Sequence, residues 1–395
     1  MLNFISSSPL LAQAVRPVPR ILSCYVSLEF GGLAEVFVSM NNHLFRQGYK
    51  VSLVLQKPFG EQLQDVLPGI DIYGLGYSGR NSYALMMRNM IRVVRKVQPH
   101  LIISHGGPTN ALALLSSYFC RSKPGMIFYE HTSPSYYGLG GGWRSFVKTK
   151  INGPIYRCAD LLLCVSEGVK LEMREKYQLS HKRILVVPPP VNLTDVMSKS
   201  TEFVEHAWFR EKIPIITSTA TLLPAKDMPT LLKAFACIVA ERKCRLMIIG
   251  DGTERLRLEK LANDLGISRD FCILGYQSNP FKFMARSQVF ALSSVFEGFG
   301  RVLVEAMALG IPVVSTNCQG PIDILGNGRF GVLVPRKDHQ ALAKAILYLL
   351  ENENLRKTLS SEGPARARLF SDEIANAKSA RIVDEVISAI QIRNN

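Results

Sequence analysis

This chain of 395 residues lacks three features: a long apolar run, a closely spaced pair of cysteines and the complete G-x-G-x-x-G pattern of glycines. No apolar run reaches the ~18 residues of a membrane-spanning helix, which argues against such a helix. The eight cysteines include no C-x-x-C pair. Their scattering argues against a zinc site or a disulfide framework and favours a reducing compartment. The full G-x-G-x-x-G pattern is absent, so the signal for dinucleotide binding is weak.

Acidic residues are almost absent between residues 72 and 159, where Glu130 stands among eleven lysines and arginines. The net charge of the chain is +15. So biased a region predicts an anionic partner: a phospholipid headgroup, a phosphorylated acceptor or nucleic acid. A predicted helix over residues 81–97 carries four bases on one face, which favours an anionic membrane surface over a merely solvated helix. Residues 136–150 mix aromatic and basic side chains, which suits a membrane interface and also single-stranded nucleic acid.

The length and the alternation of predicted strands and helices indicate an α/β protein with two doubly wound parallel sheets. Residues 1–19 have no basic n-region and only a short apolar patch, which argues against a signal peptide. We predict a disordered leader here; a transit sequence, with which the lack of acidic residues in this segment agrees, is the alternative. A Rossmann-like domain follows over residues 20–198, and a second one over residues 199–373. Residues 374–395 are predicted to form a helix. Either domain can provide the surface on which this helix packs, and we consider packing on the first domain.

Two glycine-rich turns precede helices and expose backbone N–H groups, which are suited to bind phosphate. Gly31 and Gly32 open the first helix; a tight turn that needs small residues is the alternative. In the stretch 293–314, Glu297 and Glu305 flank a turn and a helix start, where their carboxylates can accept hydrogen bonds from sugar hydroxyls. The alternative is an ordinary strand–turn–helix unit with solvated glutamates.

Two histidines follow predicted strands, at the sheet edge where parallel α/β domains bind ligands. His105 ends one strand and His131 comes directly after the next. A structural role is favoured for His105. A role in the site is favoured for His131.

Several motifs in order resemble glycosyltransferase family 4, the retaining enzymes of the GT-B fold. They are EGFGRVLVEAMALGIPVV, whose glutamates match an E-x7-E signature, with GDGTERLRLEKLA, LGY, MPTLLKAFA, GGLAEVF, EHT and ADLLLCVSEGV. The resemblance covers nearly the whole chain after about residue 20. It implies a GT-B fold, in which two Rossmann-like domains face a central cleft.

The resemblance also implies roles. Glu305 would hold the ribose hydroxyls of a nucleotide, and Lys226 would neutralise its diphosphate. Tyr276 and nearby backbone would meet the base, and His131 would line the reaction centre. Glu297, with the backbone at Phe299 and Gly300, would contact the donor sugar and the diphosphate. The candidate catalytic residues are thus His131 and Glu297. The candidate donor-binding residues are Gly31, Gly32, Lys226, Gly275, Tyr276, Gly298, Phe299, Gly300, Arg301 and Glu305.

One position departs from the family pattern. Where the family has G-R-L, this chain has Ala220-Thr221-Leu222, so Thr221 replaces a phosphate-binding arginine. A charge-assisted hydrogen bond contributes about 1.5–3 kcal/mol, and its loss would weaken donor binding about tenfold or more. Arg301 is the best candidate to compensate. The chain has no Asp-x-Asp sequence. This absence agrees with the resemblance, which implies that Lys226 and a helix N-terminus, and not a bound metal, stabilise the leaving diphosphate. We expect neither a metal nor another cofactor.

The resemblance implies a retaining transferase that uses a nucleotide-diphosphate sugar, a UDP-sugar being favoured over a GDP-sugar. The expected acceptor is lipid-linked or a polysaccharide, in the synthesis of cell-envelope glycans. We expect a cytoplasmic protein that is peripheral at the inner face of the membrane. One alternative is an inactive nucleotide-sugar-binding protein on the same fold, motivated by Thr221. Nucleic-acid binding is disfavoured, because only the charge suggests it and no reader motif occurs.

Overall fold

The computed structural model describes residues 18–394 apart from residues 30, 78, 80, 81, 137–142, 180 and 181. Side chains of residues 108, 143–149 and 394 are also outside the description. The predicted leader therefore lies almost wholly outside the described residues. So do most side chains of the aromatic and basic segment 136–150.

The first half of the chain folds as a parallel sheet covered by helices. The described residues form seven strands in the order β3-β2-β1-β4-β5-β6-β7. The strands are β1 (Arg20–Tyr25), β2 (Lys50–Leu55), β3 (Asp71–Gly74), β4 (Leu101–His105), β5 (Gly125–Glu130), β6 (Leu161–Cys164) and β7 (Ile184–Val186). The helices between them are α1 (Gly32–Arg46), α2 (Tyr83–Val97), α3 (Gly107–Ser117), α4 (Trp143–Cys158) and α5 (Glu167–Tyr177).

The second half repeats this plan. Its described strands form a parallel sheet in the order β10-β9-β8-β11-β12-β13. They are β8 (Ile215–Thr219), β9 (Arg245–Ile249), β10 (Phe271–Ile273), β11 (Val289–Leu292), β12 (Val313–Thr316) and β13 (Val332–Val334). The accompanying helices are α6 (Leu193–Ser200), α7 (Met228–Glu241), α8 (Arg255–Asp264), α9 (Phe281–Met284), α10 (Arg301–Ala308), α11 (Gln319–Ile324), α12 (His339–Glu351) and α13 (Glu353–Arg368).

In both sheets the inner strands are largely apolar and are buried between helices. Strand β4 and strand β9 are buried at every position, as expected where helices cover both faces of a parallel sheet. In each sheet the strand order reverses beside the first strand, between β1 and β4 and between β8 and β11. Ligands bind at such switch points, outside the carboxyl ends of the strands. The predicted α/β fold with two doubly wound parallel sheets is confirmed.

The last helix, α14 (Asp372–Asn394), packs on the first sheet and its helices. The amide of Asn376 donates to Ser39 at 3.0 Å, and Arg183 pairs with Glu385 at 2.6 Å. Just before α14, Ser371 forms a parallel bridge with Val191. The tail therefore ties the second half of the chain back to the first.

Helix α2 has the basic face that the sequence predicts. Its exposed bases are Arg88, Arg92, Arg95 and Lys96. Its buried residues are Met86, Met90, Val93 and Val94, whereas Leu85 is exposed to solvent. None of the helices in the described part of the chain has the length and apolar character needed to span a bilayer.

Candidate active site

A cleft of about 800 Å³ opens between the two sheets and is lined from both sides. The first half of the chain contributes the glycine turn after β1 and the start of α1. The second half contributes the loops after β8, β9 and β10 and one face of α10. Of the residues predicted from sequence, the cleft brings together Gly31, Gly32, Tyr276, Arg301 and Glu305, with Thr221 also in its wall.

The glycine turn approaches Arg301 closely. Gly31 has φ 138°, a backbone conformation that favours glycine, and Gly32 begins α1. A Cβ atom on Gly32 would lie 2.8 Å from Nη1 of Arg301. That nitrogen donates instead to the carbonyl oxygen of Gly32, at 2.9 Å. A side chain at this position would displace the guanidinium group of Arg301, which belongs to the opposite half of the chain.

Arg301 joins the two halves of the chain through a second contact. Its Nη2 lies 2.5 Å from Oε2 of Glu35 and 4.0 Å from Oε1 of Glu305. The guanidinium group therefore lies between two carboxylates, one from each side of the cleft. Its predicted role, compensation for Thr221 at a diphosphate, stays a prediction.

Glu305 is buried in the wall of the cleft. Burial raises the pKa of its carboxyl group to about 7, Arg301 opposes this effect, and the charge of Glu35 adds to it. A carboxyl group with this pKa changes its protonation state near neutral pH. It can then accept two hydrogen bonds from a diol when ionised, but fewer when protonated.

Lys226 and Glu297 form a pair of their own, outside the wall of the cleft described above. Nζ of Lys226 lies 2.5 Å from Oε2 of Glu297, which also accepts a hydrogen bond from Ser294 at 3.3 Å. The hydroxyl of Ser293 donates to the carbonyl of Lys226 at 2.9 Å. The turn before α10 is thereby held against the turn before α7.

Gly298 lies against the backbone of His131. A Cβ atom on Gly298 would come within 2.5 Å of the carbonyl oxygen of His131. Gly300, which caps α10, has φ 101°. The ring of Phe299 packs on Phe370 with centroids 5.5 Å apart, so this residue can offer a ligand only its backbone. The Glu297–Gly300 turn is therefore packed against the first half of the chain directly beside His131.

His131 and His105 touch each other. Nδ1 of His105 and Nε2 of His131 are 3.0 Å apart, and the rings are stacked with centroids 5.2 Å apart. Burial lowers the pKa of both imidazoles, that of His131 to about 3. The sequence favours a purely structural role for His105. Because β4 and β5 are neighbours in the sheet, His105 at the end of β4 lies beside His131, which follows β5.

The loops after β9 and β10 form another end of the cleft. Gly275 has φ 73°, and its carbonyl accepts a hydrogen bond from the amide of Gly250 at 2.8 Å. Tyr276 follows and is half exposed at the cleft. The sequence analysis does not single out six further charged residues that line the cleft, namely Glu35, Asp65, Asp195, Lys199, Asp251 and Asp372. Among the described residues, no three His, Cys, Asp or Glu side chains cluster as metal ligands would.

Comparisons with known proteins identify the family. Residues 200–366 match the model "Glycosyl transferases group 1", and residues 30–195 match "Glycosyltransferase Family 4". The capsular polysaccharide biosynthesis glycosyltransferase CapM of Staphylococcus aureus is 32% identical over 298 residues, which cover 72% of this chain and 76% of that protein.

A second relative is the N-acetylgalactosamine-N,N'-diacetylbacillosaminyl-diphospho-undecaprenol 4-alpha-N-acetylgalactosaminyltransferase of Campylobacter jejuni. It is 29% identical over 272 residues, which cover 69% of this chain and 72% of the relative. Among solved structures, Anabaena Alr3699/HepE in complex with UDP and glucose superposes with a TM-score of 0.79 at 19% identity, covering 93% of this chain and 100% of that one. The protein thus belongs to glycosyltransferase family 4, and it is a glycosyltransferase of the GT-B fold.

Proposed function

We propose that this enzyme transfers a sugar, with retention of configuration, from a UDP-sugar to a lipid-linked or polysaccharide acceptor of the cell envelope. The observation that carries the proposal is the cleft between the sheets, where Glu305 and the glycine turn face each other. The names of relatives support the acceptor class: one acts in capsular polysaccharide synthesis and another on an undecaprenol-linked diphosphate. A UDP donor is favoured because a solved structure of the same fold binds UDP and glucose.

The donor would be held mainly by the second half of the chain. Glu305 would accept hydrogen bonds from the ribose hydroxyls, and Tyr276 with the Gly275 backbone would meet the base. The amides at the start of α10 and the ammonium of Lys226 would face the diphosphate. No metal is needed in this scheme, because these groups place positive potential where the leaving group gains charge.

In the reaction, the bond between the sugar C1 and the diphosphate oxygen breaks, and its electron pair stays on that oxygen. The acceptor hydroxyl forms a new bond to C1 on the same face, and its proton passes to the departing diphosphate. Glu297 and His131 would contact the donor sugar at this point. Contact between the two halves of the chain, at Gly298, would exclude water from the reacting atoms.

The decisive experiment is a donor screen with membrane lipids as acceptors. The purified enzyme is incubated with radiolabelled UDP- and GDP-sugars and bacterial lipid extract, and labelled lipid is separated from free sugar. We expect transfer from a UDP-sugar, and its loss in Glu305→Ala but not in the control Lys357→Gln on α13. The proposal fails if no sugar is transferred, or if transfer survives Glu305→Ala.

A second candidate function, nucleotide-sugar binding without transfer, is favoured by one observation. Both cations that are expected to serve the diphosphate are paired with carboxylates, Lys226 with Glu297 and Arg301 with Glu35. A donor must displace these partners before it gains the positive charge. Calorimetry would favour this candidate if UDP-glucose binds tightly while neither transfer nor hydrolysis follows.

We also propose that the enzyme works at the cytoplasmic face of an anionic membrane, as a peripheral protein. The support is the exposed basic face of α2, next to the exposed aromatic residues Tyr118 and Phe119 after α3. Arg95 lies over the ring of Phe119, 5.3 Å from its centroid. A surface that mixes exposed aromatic rings and bases suits the headgroup region of a bilayer.

A further inference from the structure

We propose that His105 is a positioning residue that fixes the tautomer of His131, so that His131 presents an N–H donor at Nδ1 to the substrate. The activity part of this inference rests on the proposed function. The tautomer itself does not, since it is a property of the free enzyme. Three observations lead to it: the contact between the rings, the surroundings of each ring and the positions of their remaining nitrogen atoms.

The contact constrains both rings. A neutral imidazole has one N–H and one bare nitrogen. The 3.0 Å hydrogen bond joins Nδ1 of His105 to Nε2 of His131, so one of these atoms donates and the other accepts. If His131 donates, its Nδ1 is bare and His105 must carry its proton on Nε2. If His105 donates, its Nε2 is bare and the proton of His131 lies on Nδ1.

The surroundings of His105 decide between these two arrangements. Its side chain is 1% exposed and is enclosed by the rings of Phe37 and Tyr129, with centroids 4.9 and 5.3 Å away. Within the described part of the chain, its Nε2 has no hydrogen-bond partner. In either arrangement one ring carries a buried N–H without a partner among the described residues, at Nε2 of His105 or at Nδ1 of His131. Such an N–H is rare in proteins unless water or a ligand can reach it. His105 is 1% exposed and His131 is 9% exposed, so Nε2 of His105 should carry no proton. His105 therefore donates from Nδ1.

An N–H group on His131 can donate a hydrogen bond to a bound substrate. His131 lies where the two halves of the chain meet, because Gly298 packs on the backbone of His131. About 9% of the surface of His131 is exposed. Its Nδ1 also has no partner among the described residues. The donor sugar is proposed to sit beside this ring. A sugar oxygen would complete the hydrogen bonding that the protein leaves open at Nδ1.

The charges around the pair are consistent with two neutral rings. The carboxyl group of Glu130, which precedes His131 in the sequence, accepts a hydrogen bond from the side-chain amide of Asn110 at 2.8 Å. It also forms a hydrogen bond with the side chain of Tyr156. Burial disfavours protonation of both histidines. His131 then acts as a hydrogen-bond donor and not as a proton acceptor, and His105 gives it that direction.

The test reads the tautomer directly. Long-range proton–nitrogen correlation NMR on the 15N-histidine-labelled enzyme, assigned with His131→Asn, is expected to show the Nδ1–H form of His131. In His105→Leu, which removes the donor, His131 should shift to the Nε2–H form, the one that free histidine prefers. The Nε2–H form in the unmodified enzyme would overturn the proposal, and so would an unchanged tautomer in the variant.

Kinetics supplies the second readout. His105→Leu should lower kcat about tenfold, the effect of one lost hydrogen bond, with a smaller change of KM for the donor. His105→Asn, whose side-chain amide can donate from nearly the same place, should recover most of the rate. Equal losses in the two variants at unchanged melting temperature would contradict the positioning role. If the unmodified enzyme transfers no sugar, the proposed function fails, while the NMR result still decides the tautomer.

Discussion

Single residues in the wall of the cleft show how this chain departs from the family pattern. Thr221 lies in the wall of the cleft where the family pattern has an arginine. The nearest substitute from sequence, Arg301, is held by Glu35 and by the carbonyl of Gly32. If Arg301 serves the diphosphate, the donor must draw it away from these partners, which reduces the gain in affinity.

A pair of substitutions tests this compensation. Thr221→Arg should tighten binding of UDP-glucose about tenfold, because it restores a charge-assisted hydrogen bond. Arg301→Gln should weaken binding about tenfold in the natural chain and much less beside Thr221→Arg, because one cation then replaces the other. Isothermal titration calorimetry on the four proteins measures the coupling. Purely additive effects would show that Arg301 does not stand in for the missing arginine.

We expect donor binding to depend on pH, because burial raises the pKa of Glu305. An ionised carboxylate accepts more hydrogen bonds from a ribose, so affinity for UDP-glucose should rise as the pH increases from 6 to 8, through the pKa of about 7. UDP-glucose is the right probe because both of its phosphates are esterified and do not titrate near pH 7. Glu305→Gln should bind about ten- to a hundredfold more weakly at pH 8 and lose this pH dependence.

The same shift has the opposite effect on the stability of the free enzyme. The folded-state pKa of Glu305 lies above its ordinary value of 4.5. The stability that its proton supports is therefore complete below pH 4.5 and is lost as the pH rises through 7. Thermal melts without ligand should accordingly show a smaller decline with pH in Glu305→Gln. Equal declines in the two proteins, or a pH-dependent affinity that survives in the variant, would refute the assignment.

The sequence predicts several residues of the candidate site, but not the side chains with which they pair. Glu305 and the Gly31–Gly32 turn could be predicted because glycines and carboxylates with fixed spacing mark a helix start. The pairs Lys226–Glu297 and Arg301–Glu35 could not, since they join positions 71 and 266 residues apart in the chain. The His105–His131 contact depends on which strands are neighbours in the sheet, and no spacing shows that.

At the scale of elements, buried apolar runs were the reliable signal. Strands β2, β8, β9 and β11 are short runs rich in apolar residues, the pattern from which a buried strand can be predicted. Strand β3 cannot be predicted in this way, because it is an edge strand without a buried residue and its sequence DIYG has no apolar run. Strand β13 is likewise short and lies at an edge. Edge strands are placed by their pairing, which local sequence does not encode.

The exposed basic face of helix α2 should bind an anionic membrane surface. Replacement of Arg88, Arg92 and Lys96 by Gln removes three charges from its exposed face, each of which contributes about 1 kcal/mol near an anionic surface. Flotation with phosphatidylglycerol-containing liposomes should therefore drop sharply at low salt. Flotation with neutral phosphatidylcholine liposomes should be low for every protein.

The control removes the same charge from the other half of the chain. Lys233, Lys344 and Lys357 are exposed on α7, α12 and α13, and their replacement by Gln should leave flotation unchanged. Equal losses in both triple variants would mean that net charge, and not the α2 face, draws the protein to the vesicles. Full flotation of the α2 variant would leave that face an ordinary solvated surface.

At the scale of the whole molecule, the two halves of the chain meet through tight backbone contacts. The amide of Glu167, at the start of α5, donates to the carboxylate of Asp323 in α11 at 2.6 Å. Gly168 packs directly on Gln319, and Gly298 packs on His131. At Gly168 and Gly298 a glycine lets the two halves come closer than any side chain would permit.

Gly298→Ala tests whether this approach is needed for catalysis. Gly298 does not have a positive φ, so alanine causes no backbone strain, yet its Cβ would lie 2.5 Å from the carbonyl oxygen of His131. Such overpacking costs about 1–3 kcal/mol, which separation of the two halves relieves. Transfer should fall roughly five- to a hundredfold, and small-angle scattering should show a larger radius of gyration. Gly153→Ala on α4, where the added Cβ makes only ordinary contacts at 3.9 Å, should change neither. Full activity of Gly298→Ala with an unchanged radius would mean that this contact is not part of the working enzyme.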